Sequence, residues 1–513
     1  MESDEPTRGD LDRRAVLGLA AGGLMASAAT SAAGAARPSD IVRMDAGALR
    51  KAIRTKAVSC VEVMGAYLDH IEAANPKANA IVALQPRGGL LAQARERDAQ
   101  LAKGEVLGPL HGFPQAPKDL QAVKGIRSTS GSPILKDFVP AADSLLVARM
   151  RAAGAIFIGK TNTPEFGFGS HTYNPVYGVT HNAFDPTKSA GGSSGGAAVA
   201  LALRMLPVAD GSDYGGSLRN PAGWNNVVGF RTSFGVVPGE AKDAWTPSMG
   251  VTGPMARNVS DLAMLLSVQA GYDERAPLAP PGSGARFAVP LGADMKGKRI
   301  GWLGDFGGST PCEPGVLATC EAALKTFEAM GCHVEAATVD HAVEPVWQAA
   351  IKLRAWQQGG NILDFYKDPV KRALLKPEAV WEVETGLPLS AFDISAASAA
   401  RTAWSNAMRR LFQRFDYLVA PTAQVFPFPI EEHWPREIAG RTMRTYHEWM
   451  QGVLLVTLAG GPSLAVPAGF GPQGLPIGIQ IIAPVHEELS CLKLGFAYEQ
   501  ASGFPAKTSP LLG

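Results

Sequence analysis

The chain has 513 residues, of which 46% are hydrophobic and 19% are charged, so it can bury a substantial core and is not intrinsically disordered. Its 48 lysines and arginines nearly balance 47 aspartates and glutamates, and a net charge of +1 excludes a long-range field that would recruit nucleic acid. Five cysteines in this length exclude a disulfide scaffold, while 57 glycines and 38 prolines predict many tight turns and sites built from loops.

The N-terminal segment has the pattern of an export signal. Arg13 and Arg14 directly precede an uncharged stretch over residues 15–36 that is rich in Ala, Gly and Leu and contains an A-x-A-like cleavage candidate. We therefore predict a twin-arginine signal peptide over residues 1–36 and a mature protein, residues 37–513, that is periplasmic or secreted. The alternative is an anchoring helix, which is disfavoured because Ala and Gly make the stretch only weakly apolar.

Hydrophobic periodicity after the signal predicts alternating helices and strands. Helices are predicted over residues 45–75 (with Asp45 as its cap), 90–103, 144–153, 197–205, 260–269 and 314–330. Strands are predicted over residues 80–84, 155–159, 299–303, 334–339, 417–420 and 477–482. A Pro- and Gly-rich surface connection at 272–296 and a helical insertion at about 343–412 interrupt the alternation. The pattern predicts an α/β fold with a central mixed β-sheet flanked by helices on both sides.

A second uncharged run, residues 453–472, contains Pro462 and Pro467. These prolines fit a helix that runs into a buried strand far better than a membrane span. We therefore predict no stable membrane association once the signal peptide has been cleaved.

Metal and thiol chemistry find little support in the sequence. His447-Glu448 and His486-Glu487 both begin an H-E pattern, but neither is followed by the second histidine that a zinc protease needs. The cysteines are odd in number and irregularly spaced, which favours buried apolar thiols over a metal site. We predict no metal and no cofactor.

Three further motifs fit a pattern but not its structural context. Residues 154–161 match a P-loop, yet residues 155–158 between its glycines read as an apolar strand, where a phosphate-binding loop needs a flexible backbone. Residues 191–195 fit the nucleophile elbow G-x-S-x-G, but a loop precedes them instead of a buried strand. Residues 490–493 match S-x-x-K on an amphipathic helix without partner motifs. We therefore expect neither nucleotide binding nor a nucleophile elbow at these positions, and we interpret the S-x-x-K match as chance.

Two Gly/Ser blocks carry the strongest sign of chemistry. Residues 189–205 place two serines between two glycine pairs at a predicted helix start, and residues 210–221 bring a third glycine pair directly before Ser217. Gly-Gly before a serine lets successive backbone N–H groups converge on one point, which is how an oxyanion hole is built. Helix packing and serine caps would explain one such block. Two blocks so close together, with Lys118-Asp119 upstream, favour a catalytic site.

With further motifs, these blocks make the chain resemble the amidase signature family over about residues 45–505. The motifs are Leu110-His111-Gly112, Lys118-Asp119, Thr129-Ser130-Gly131-Ser132, Gly159-Lys160-Thr161-Asn162, Glu165-Phe166-Gly167, the two Gly/Ser blocks, and Gly474-Leu475-Pro476-Ile477-Gly478-Ile479-Gln480. The resemblance implies a single large amidase-signature-type domain and a serine hydrolase that acts on linear or cyclic amides without a cofactor.

Carried over residue by residue, the resemblance implies that Lys118 is the base, Ser193 the bridging serine in a cis peptide and Ser217 the nucleophile. It also implies an oxyanion hole made by the backbone N–H groups of Tyr214, Gly215, Gly216 and Ser217, with supporting roles for Ser194, Asp213 and Arg219. A lysine acts as a base only when it is neutral, so Lys118 must be desolvated or lie near positive charge. Ser193 would relay the proton of Ser217 to it.

The sequence departs from the family pattern in two places. Gly229-Phe230-Arg231-Thr232 stands where the family usually has Gly-Leu-Lys-Pro, and Tyr214 stands where Thr is frequent. Neither departure touches the three triad residues, but Tyr214 is expected to reshape the pocket.

The substrate is less well defined than the reaction. Aromatic residues near the blocks favour an apolar or aromatic amide, such as an aryl acylamide, a peptide amide or an oligoamide; the pocket candidates are Phe166, Tyr173, Tyr177 and Trp245. An esterase or carbamate hydrolase on the same triad, or a non-catalytic binding protein on this scaffold, are the alternatives. The expected partner is a small-molecule amide and not nucleic acid, and the protein is expected to be a monomer or homodimer.

Overall fold

A mixed β-sheet lies at the centre of the computed structural model, which describes residues 39–247 and 249–512. The strands in chain order are β1 (Ile81–Val82), β2 (Pro114–Gln115), β3 (Ile156–Phe157), β4 (Lys160–Thr161), β5 (Tyr173–Asn174), β6 (Gly178–Val179), β7 (Ala209–Asp213), β8 (Val228–Arg231), β9 (Val251–Ala256), β10 (Arg299–Trp302), β11 (His333–Ala336), β12 (Tyr417–Pro421), β13 (Glu437–Ile438), β14 (Arg441–Thr442), β15 (Ser463–Phe470) and β16 (Pro476–Ile482). Eight of these form the central sheet in the order β11-β10-β12-β16-β15-β8-β9-β7. Strand β10 runs parallel to β11 and β12, and the other neighbours are antiparallel, which confirms the mixed sheet.

Helices pack on both faces of this sheet. In chain order they are α1 (Asp40–Arg43), α2 (Ala46–Arg54), α3 (Cys60–Ala78), α4 (Arg87–Ala102), α5 (Leu145–Ala152), α6 (Gly195–Ala202), α7 (Arg219–Trp224), α8 (Val259–Gln269), α9 (Val316–Ala329), α10 (Val343–Lys367), α11 (Pro369–Arg372), α12 (Pro377–Gly386), α13 (Ala391–Leu411), α14 (Gln451–Ala459) and α15 (Glu488–Ser502). Side chains alternate between the faces of a strand. Tyr417 and Val419 of β12 accordingly join one hydrophobic core, and Leu418 and Ala420 join a second. The predicted helix–sheet–helix layering is confirmed.

The range predicted as a helical insertion, about residues 343–412, is helical. It consists of α10 to α13, and α10 packs against both α12 and α13. Its apolar side chains, among them Val346, Leu353 and Trp404, build the second core against the sheet. The insertion therefore covers the end of the molecule where the Gly/Ser blocks lie.

The single helix predicted over residues 45–75 is wrong. Two helices occupy this range, α2 and α3, and a turn with Lys56 at φ 60° separates them. Ser59 and Glu62 form a reciprocal capping box that starts α3, which the continuous apolar periodicity of the segment concealed. The predicted cap is confirmed, since Asp45 Oδ1 accepts a 2.6 Å hydrogen bond from Ala48 N–H.

Strands β7, β8 and β9 were not predicted from the sequence. The segment of β7 reads Ala-Asp-Gly-Ser-Asp, a composition that is depleted in strands. It is extended because β9 pairs with it along its whole length, from Ala209 opposite Met255 to Asp213 opposite Val251. Tertiary pairing thus overrides local preference, and it places Asp213 at the end of a strand next to Ser217.

Two smaller predictions, a helix that runs into a strand over residues 453–472 and a P-loop match without a P-loop structure, agree with the structure. Helix α14 runs directly into β15 over the predicted range 453–472. Within residues 39–247 and 249–512, no helix combines the length and apolar character needed to cross a membrane. The P-loop match fails as expected, because β3 lies between its glycines and α5 precedes it. The signal peptide predicted over residues 1–36 lies outside the described residues.

All five cysteines fall in the described part of the chain, and all are free thiols. Four are buried and Cys312 is half-buried. Burial raises the pKa of the Cys60 and Cys312 thiols to about 12, so neither is a ready nucleophile. The prediction of mostly buried thiols is confirmed.

Candidate active site

A cavity of about 490 Å³ opens between the Gly/Ser blocks and the helical insertion. We call the residues that the two blocks contribute to it the floor: Ser193, Ser212, Asp213, Tyr214, Gly215 and Ser217. We call the residues from the loop after β4 and from α10 the wall: Phe166, Phe168, Arg354, Trp356, Gln357 and Asn361. Both serines of the predicted triad, Ser193 and Ser217, therefore line the same cavity.

The first Gly/Ser block presents Ser193 in an unusual backbone. The Gly192–Ser193 peptide bond is cis, as the resemblance implied. A side chain at position 192 would meet the backbone of Ser170 at 2.9 Å, which explains why glycine precedes the serine. Ser194 follows at the N-cap position of α6 but makes no side-chain capping bond. The explanation of this serine as a helix cap is therefore wrong.

Lys118 contacts three serines of the two Gly/Ser blocks. Its Nζ lies 2.7 Å from Ser193 Oγ, 2.9 Å from Ser194 Oγ and 3.0 Å from Ser212 Oγ. The side chain is almost completely buried, and this desolvation lowers the pKa of Lys118 to about 7, although the carboxylates of Asp210 and Asp213 act in the opposite direction. Of the two causes that the sequence left open, burial is the one that operates. A substantial fraction of Lys118 is thus neutral near pH 7.

Ser217 lies in a tight turn that Asp213 organises. Asp213 accepts hydrogen bonds from Gly216 N–H at 2.9 Å and from Leu218 N–H at 3.1 Å. Gly216 has φ +99°, and a Cβ there would approach Val453 Cγ2 to 2.6 Å, so only glycine fits. The turn exposes Ser217 to the cavity while most of the residue remains buried.

The predicted oxyanion hole is corrected at one position. The N–H of Gly216 is already bonded to Asp213 and does not point to a free acceptor site. The N–H groups of Tyr214, Gly215 and Ser217 make no hydrogen bond to any residue of the described part. These three N–H groups are therefore available to an acceptor, whereas that of Gly216 is not.

Two buried arginines surround the single negative charge of Asp213. Arg219 donates to both its carboxylate oxygens at 3.0 Å, and Arg231 donates to its backbone carbonyl at 2.7 Å and lies 3.3 Å from Oδ1. Together they hold the pKa of Asp213 well below its usual range against the opposing effect of burial. Arg219 was predicted as a supporting residue. Arg231 was not, although it stands in the segment noted as a departure from the family pattern.

A second buried lysine lies behind the triad. Lys160 donates to Gln121 O and Ser128 Oγ, and its Nζ is 4.0 Å from Asp119 Oδ1. Asp119 also accepts hydrogen bonds from Thr129 Oγ1 at 2.6 Å and from Gly131 N–H at 3.2 Å. These bonds join the motifs around residues 118, 129 and 160 into one scaffold. Desolvation lowers the pKa of Lys160 to about 8.

Comparison with known proteins decides the family of this scaffold. The family model described as Amidase matches residues 62–492. The chain belongs to the amidase family. It is 33% identical over 493 residues to a glutamyl-tRNA(Gln) amidotransferase subunit of Salinispora tropica, covering 90% of this chain and 98% of that protein. It is 32% identical over 459 residues to an acylamidase of Rhodococcus erythropolis, covering 89% and 95%.

The fold of this amidase agrees with a solved relative. A bacterial aryl acylamidase of the amidase signature family matches it with a TM-score of 0.84 at 29% identity, covering 91% of this chain and 99% of that chain. The resemblance inferred from the sequence motifs is thereby confirmed, as are the fold class and the amidohydrolase activity on amides that it implied.

The aromatic residues predicted to line the amidase pocket divide into two groups. Phe166 lines the cavity and stacks on Phe365 of the insertion at 5.7 Å. Tyr173 does not line it, because its hydroxyl donates to Glu378 and its ring packs on His433. Tyr177 is likewise turned away and packs under Arg127 at 5.1 Å.

Trp245 is also not part of the cavity lining. It lies in an exposed loop with 75% of its surface accessible to solvent. Its neighbours at positions 244 and 246 contact the cavity, whereas its own side chain does not. Placement next to the pocket in the chain was therefore misleading for this residue.

Sequence reasoning missed the part of the wall that α10 supplies. Arg354, Trp356, Gln357 and Asn361 all lie on this helix and reach the cavity. Nothing in their local sequence marks them, because they come from a segment far from both Gly/Ser blocks. Ser212 was also missed, although it lies inside the second block and contacts Lys118 Nζ.

Among residues 39–247 and 249–512, no group of three or more His, Cys, Asp or Glu side chains is placed to hold a metal ion. His447 of the first H-E pattern instead lies 3.0 Å from Glu382 in a buried polar cluster. His447 Nε2 also lies 3.0 Å from Arg354 Nε, so this histidine helps to position Arg354.

Proposed function

We propose that this amidase hydrolyses carboxamide C–N bonds through an acyl-enzyme on Ser217, with Ser193 as proton relay and Lys118 as base. The observation that carries the proposal is the 2.7 Å contact between Lys118 Nζ and Ser193 Oγ, beside Ser217 in one cavity. A serine hydroxyl is a weak nucleophile until a base takes its proton. Burial supplies such a base by lowering the pKa of Lys118 to about 7.

The reaction then proceeds in two halves. Neutral Lys118 takes the proton of Ser193 as Ser193 takes the proton of Ser217, whose Oγ bonds to the amide carbon. The N–H groups of Tyr214, Gly215 and Ser217 stabilise the negative charge on the carbonyl oxygen. The same proton returns through Ser193 to the leaving nitrogen as the C–N bond breaks. Water, deprotonated along the same relay, attacks the ester, releases the acid and restores Ser217.

Support for apolar or aromatic amide substrates comes from the cavity. Leu120, Phe166, Phe168, Tyr214 and Trp356 contribute apolar surface to it. Burial of aromatic and aliphatic groups on such surfaces is the main source of binding free energy for small ligands. Aryl acylamides, peptide amides and oligoamides are the classes that fit, and the similar proteins include an acylamidase and an aryl acylamidase.

A fluorophosphonate probe combined with a substrate panel tests this proposal. The purified protein should carry one covalent adduct on the peptide that contains Ser217, and Ser217→Ala should carry none. Anilides and peptide amides should be hydrolysed faster than matched esters and carbamates relative to their uncatalysed rates. A preference for esters or carbamates would favour the alternative hydrolase. An unlabelled protein without turnover would favour a binding protein.

We also propose that the chain acts on its own, without nucleic acid. The amidotransferase subunit of Salinispora tropica is similar in sequence, but this chain carries a nearly balanced charge and no basic excess that would favour RNA. Size-exclusion chromatography with light scattering should place the activity in a monomer or homodimer. Activity that depends on an added partner protein would contradict the proposal.

Export through the twin-arginine route is a proposal that rests on Arg13 and Arg14 before the uncharged segment. Replacement of both arginines by lysine should move the enzyme from the periplasm or medium into the cytoplasmic fraction. An unchanged distribution would contradict the route, and an intact Met1 on the exported protein would contradict cleavage.

A further inference from the structure

Arg354 is a buried cation in the wall of the cavity that the proposed reaction does not use. It lies in the middle of α10, is only 6% exposed and lines the cavity. Its guanidinium stands over the Tyr214 ring at 4.9 Å and over the Phe168 ring at 5.7 Å. Burying an arginine is costly unless its charge is balanced and its donors are satisfied, so its surroundings indicate its role.

One edge of the guanidinium is held rigidly from behind. Arg354 Nε donates to Glu382 Oε1 at 2.7 Å, and Nη2 donates to Tyr446 Oη at 2.7 Å. The Tyr446 hydroxyl in turn donates to Glu382 Oε1 at 2.6 Å. Against the opposing effect of burial, Arg354 and His447 lower the pKa of Glu382 to about 2, so that carboxylate is ionised and balances the charge of Arg354.

The other edge is open. Arg354 Nη1 makes no hydrogen bond to any of the described residues, and it is not among the unpartnered side-chain atoms that are sealed in the interior. Because the side chain lines the cavity, these N–H donors are available to whatever occupies it. A fixed donor with a preformed orientation binds an acceptor at little entropic cost.

Tyr214 links this donor to the reacting centre. The backbone N–H of Tyr214 is one of the three proposed oxyanion donors, and its ring lies directly against the Arg354 guanidinium. The ring is itself held by a 2.9 Å hydrogen bond from its hydroxyl to Gln357 Oε1. The open donor therefore belongs to a side chain that contacts the residue supplying one of the proposed oxyanion donors.

We propose that Arg354 is a specificity-determining residue that binds a second, uncharged carbonyl oxygen of the substrate. The proposal deepens the proposed function and rests on it: the preferred substrates are amides with another carbonyl a short spacer away from the bond that is cut. A carboxylate is the poorer ligand, because Glu382 already balances Arg354, and Lys242 in the cavity lining already pairs with Asp364. A simple hydrocarbon amide would displace water from the donor without replacing its hydrogen bond.

Matched p-nitroanilides test this on the acyl side. N-acetylglycyl p-nitroanilide carries the second carbonyl, pentanoyl p-nitroanilide has the same length without it, and succinyl p-nitroanilide carries a carboxylate. A second pair, pentananilide and its 3-acetyl derivative, places the extra carbonyl on the amine side. For one of these two pairs, we expect the compound with the uncharged carbonyl to have a kcat/KM about tenfold or more above its partner. The succinyl compound should be the poorest substrate.

In Arg354→Met, the ratio of kcat/KM between the carbonyl compound and its matched partner should fall close to one. The change should come mainly from a higher KM for the carbonyl compound, because the variant removes binding that substrate and transition state share. The double variant Arg354→Met/Glu382→Gln removes the carboxylate that the single variant leaves unpaired, and it should show the same ratio. Lys352→Met is the matched control: it lies on the same helix, is half exposed, pairs with Asp393 and does not line the cavity. It should keep the wild-type ratio.

The outcomes separate the two proposals. If the wild type hydrolyses the anilides and is labelled on Ser217, but Arg354→Met and the folded double variant keep the preference for the carbonyl compound, the role of Arg354 is wrong and the proposed function stands. A wild type that prefers the succinyl compound, or that does not discriminate in either pair, likewise overturns it. If no probe is turned over and Ser217 is unlabelled, both proposals fail together.

Discussion

The floor and the wall of the cavity are built in different ways. The floor comes from the two short Gly/Ser blocks, and Lys118 contacts its serines Ser193 and Ser212. Asp213, Arg219 and Arg231 fix the turn of the second block through buried hydrogen bonds. The wall is assembled over long sequence distances. Phe168 in the loop after β4 packs against α10, and Arg354 on that helix is held by residues 382 and 446.

This difference separates chemistry from substrate choice. Residues of the floor must meet within hydrogen-bond distance, and glycines and serines at fixed spacing leave a pattern that is visible in the chain. The wall needs only shape and one fixed donor, so many sequences could supply it. We therefore expect variants in the floor to lose the reaction itself, and variants in the wall to change which amide is preferred.

The largest effect is expected in the floor. Ser217→Ala should reduce kcat by on the order of 10⁴-fold or more, because no acyl-enzyme can form. Lys118→Ala keeps the nucleophile but removes the base and should collapse kcat as well, with weak residual fluorophosphonate labelling. Ser193→Ala should cost less, roughly 10²-fold or more, because base and nucleophile both remain. Steady-state kinetics and intact-protein mass spectrometry check the order.

A double variant distinguishes a relay from independent contributions. Lys118→Ala/Ser193→Ala should be little slower than Lys118→Ala alone, since residues that act as one unit are not additive. A loss of kcat in the double variant equal to the product of the two single losses would contradict the relay. Ser194→Ala is the test of the nucleophile, because Ser194 also lies 2.9 Å from Lys118 Nζ. A Ser194→Ala protein that resists labelling, beside a Ser217→Ala protein that accepts it, would reverse the assignment.

The buried ion pairs of the floor should matter for stability more than surface pairs do. Arg219→Met deletes the buried hydrogen bonds of Arg219 to Asp213, Val453, Gln480 and Thr457, and should cost about 3 to 5 kcal/mol of folding free energy. Arg87→Met is the matched control, since Arg87 pairs with Asp69 and Glu72 at the surface and should cost about 1 kcal/mol or less. Thermal unfolding midpoints measure the difference. Equal midpoints would show that Arg219 does not hold the turn.

The fold was predictable where local pattern and tertiary structure agree. The insertion and the α14–β15 segment follow from their hydrophobic patterns alone. Strands β7 to β9 were missed because β7 carries two aspartates and a glycine and is extended only by pairing with β9. The break between α2 and α3 was missed because apolar spacing runs on across the turn.

The site shows the same limit. Lys118, Ser193 and Ser217 were chosen from motifs, and the structure brings Lys118 to Ser193 and places both serines in one cavity. The N–H of Gly216 was assigned to the oxyanion hole from the same motifs, and it instead bonds to Asp213. The sequence does not show which of four adjacent backbone N–H groups already donates a hydrogen bond within the protein. Trp245 was chosen because it is close in sequence to the second Gly/Ser block, but it is exposed and does not line the cavity. Arg354 was overlooked because it is far from both blocks in sequence, but it lines the cavity.

The pH dependence of the floor offers a finer test. The pKa of Lys118 is lowered to about 7, and only the neutral form is a base, so kcat/KM should rise with pH along a limb near 7. Asp210 opposes this lowering and accepts a 3.2 Å hydrogen bond from Lys118 N–H. Asp210→Asn removes a negative charge that favours the protonated lysine. The limb should therefore move to lower pH, by roughly one unit.

Each profile is measured relative to its own plateau, so a loss of folded protein does not imitate the shift. Asp45→Asn is the matched control, because Asp45 caps α2 far from the triad and Asn is an equally good cap. It should leave the limb in place. A limb that stays unmoved in Asp210→Asn, or that persists in Lys118→Ala, would show that another group titrates.

The smallest effects are expected from single aromatic residues near the wall. Phe166→Ala removes a ring that lines the cavity and stacks on Phe365, so KM for aryl amides should rise several-fold with little change in kcat. Trp245→Ala removes a larger ring that is 75% exposed and does not line the cavity, and kcat/KM should stay within about twofold of the wild type. Because both variants remove an aromatic ring but only Phe166 lines the cavity, comparing them shows whether position or aromatic character matters. If Trp245→Ala raised KM as much as Phe166→Ala, the exposed loop would have to close over the bound amide, and Trp245 would belong to the wall after all.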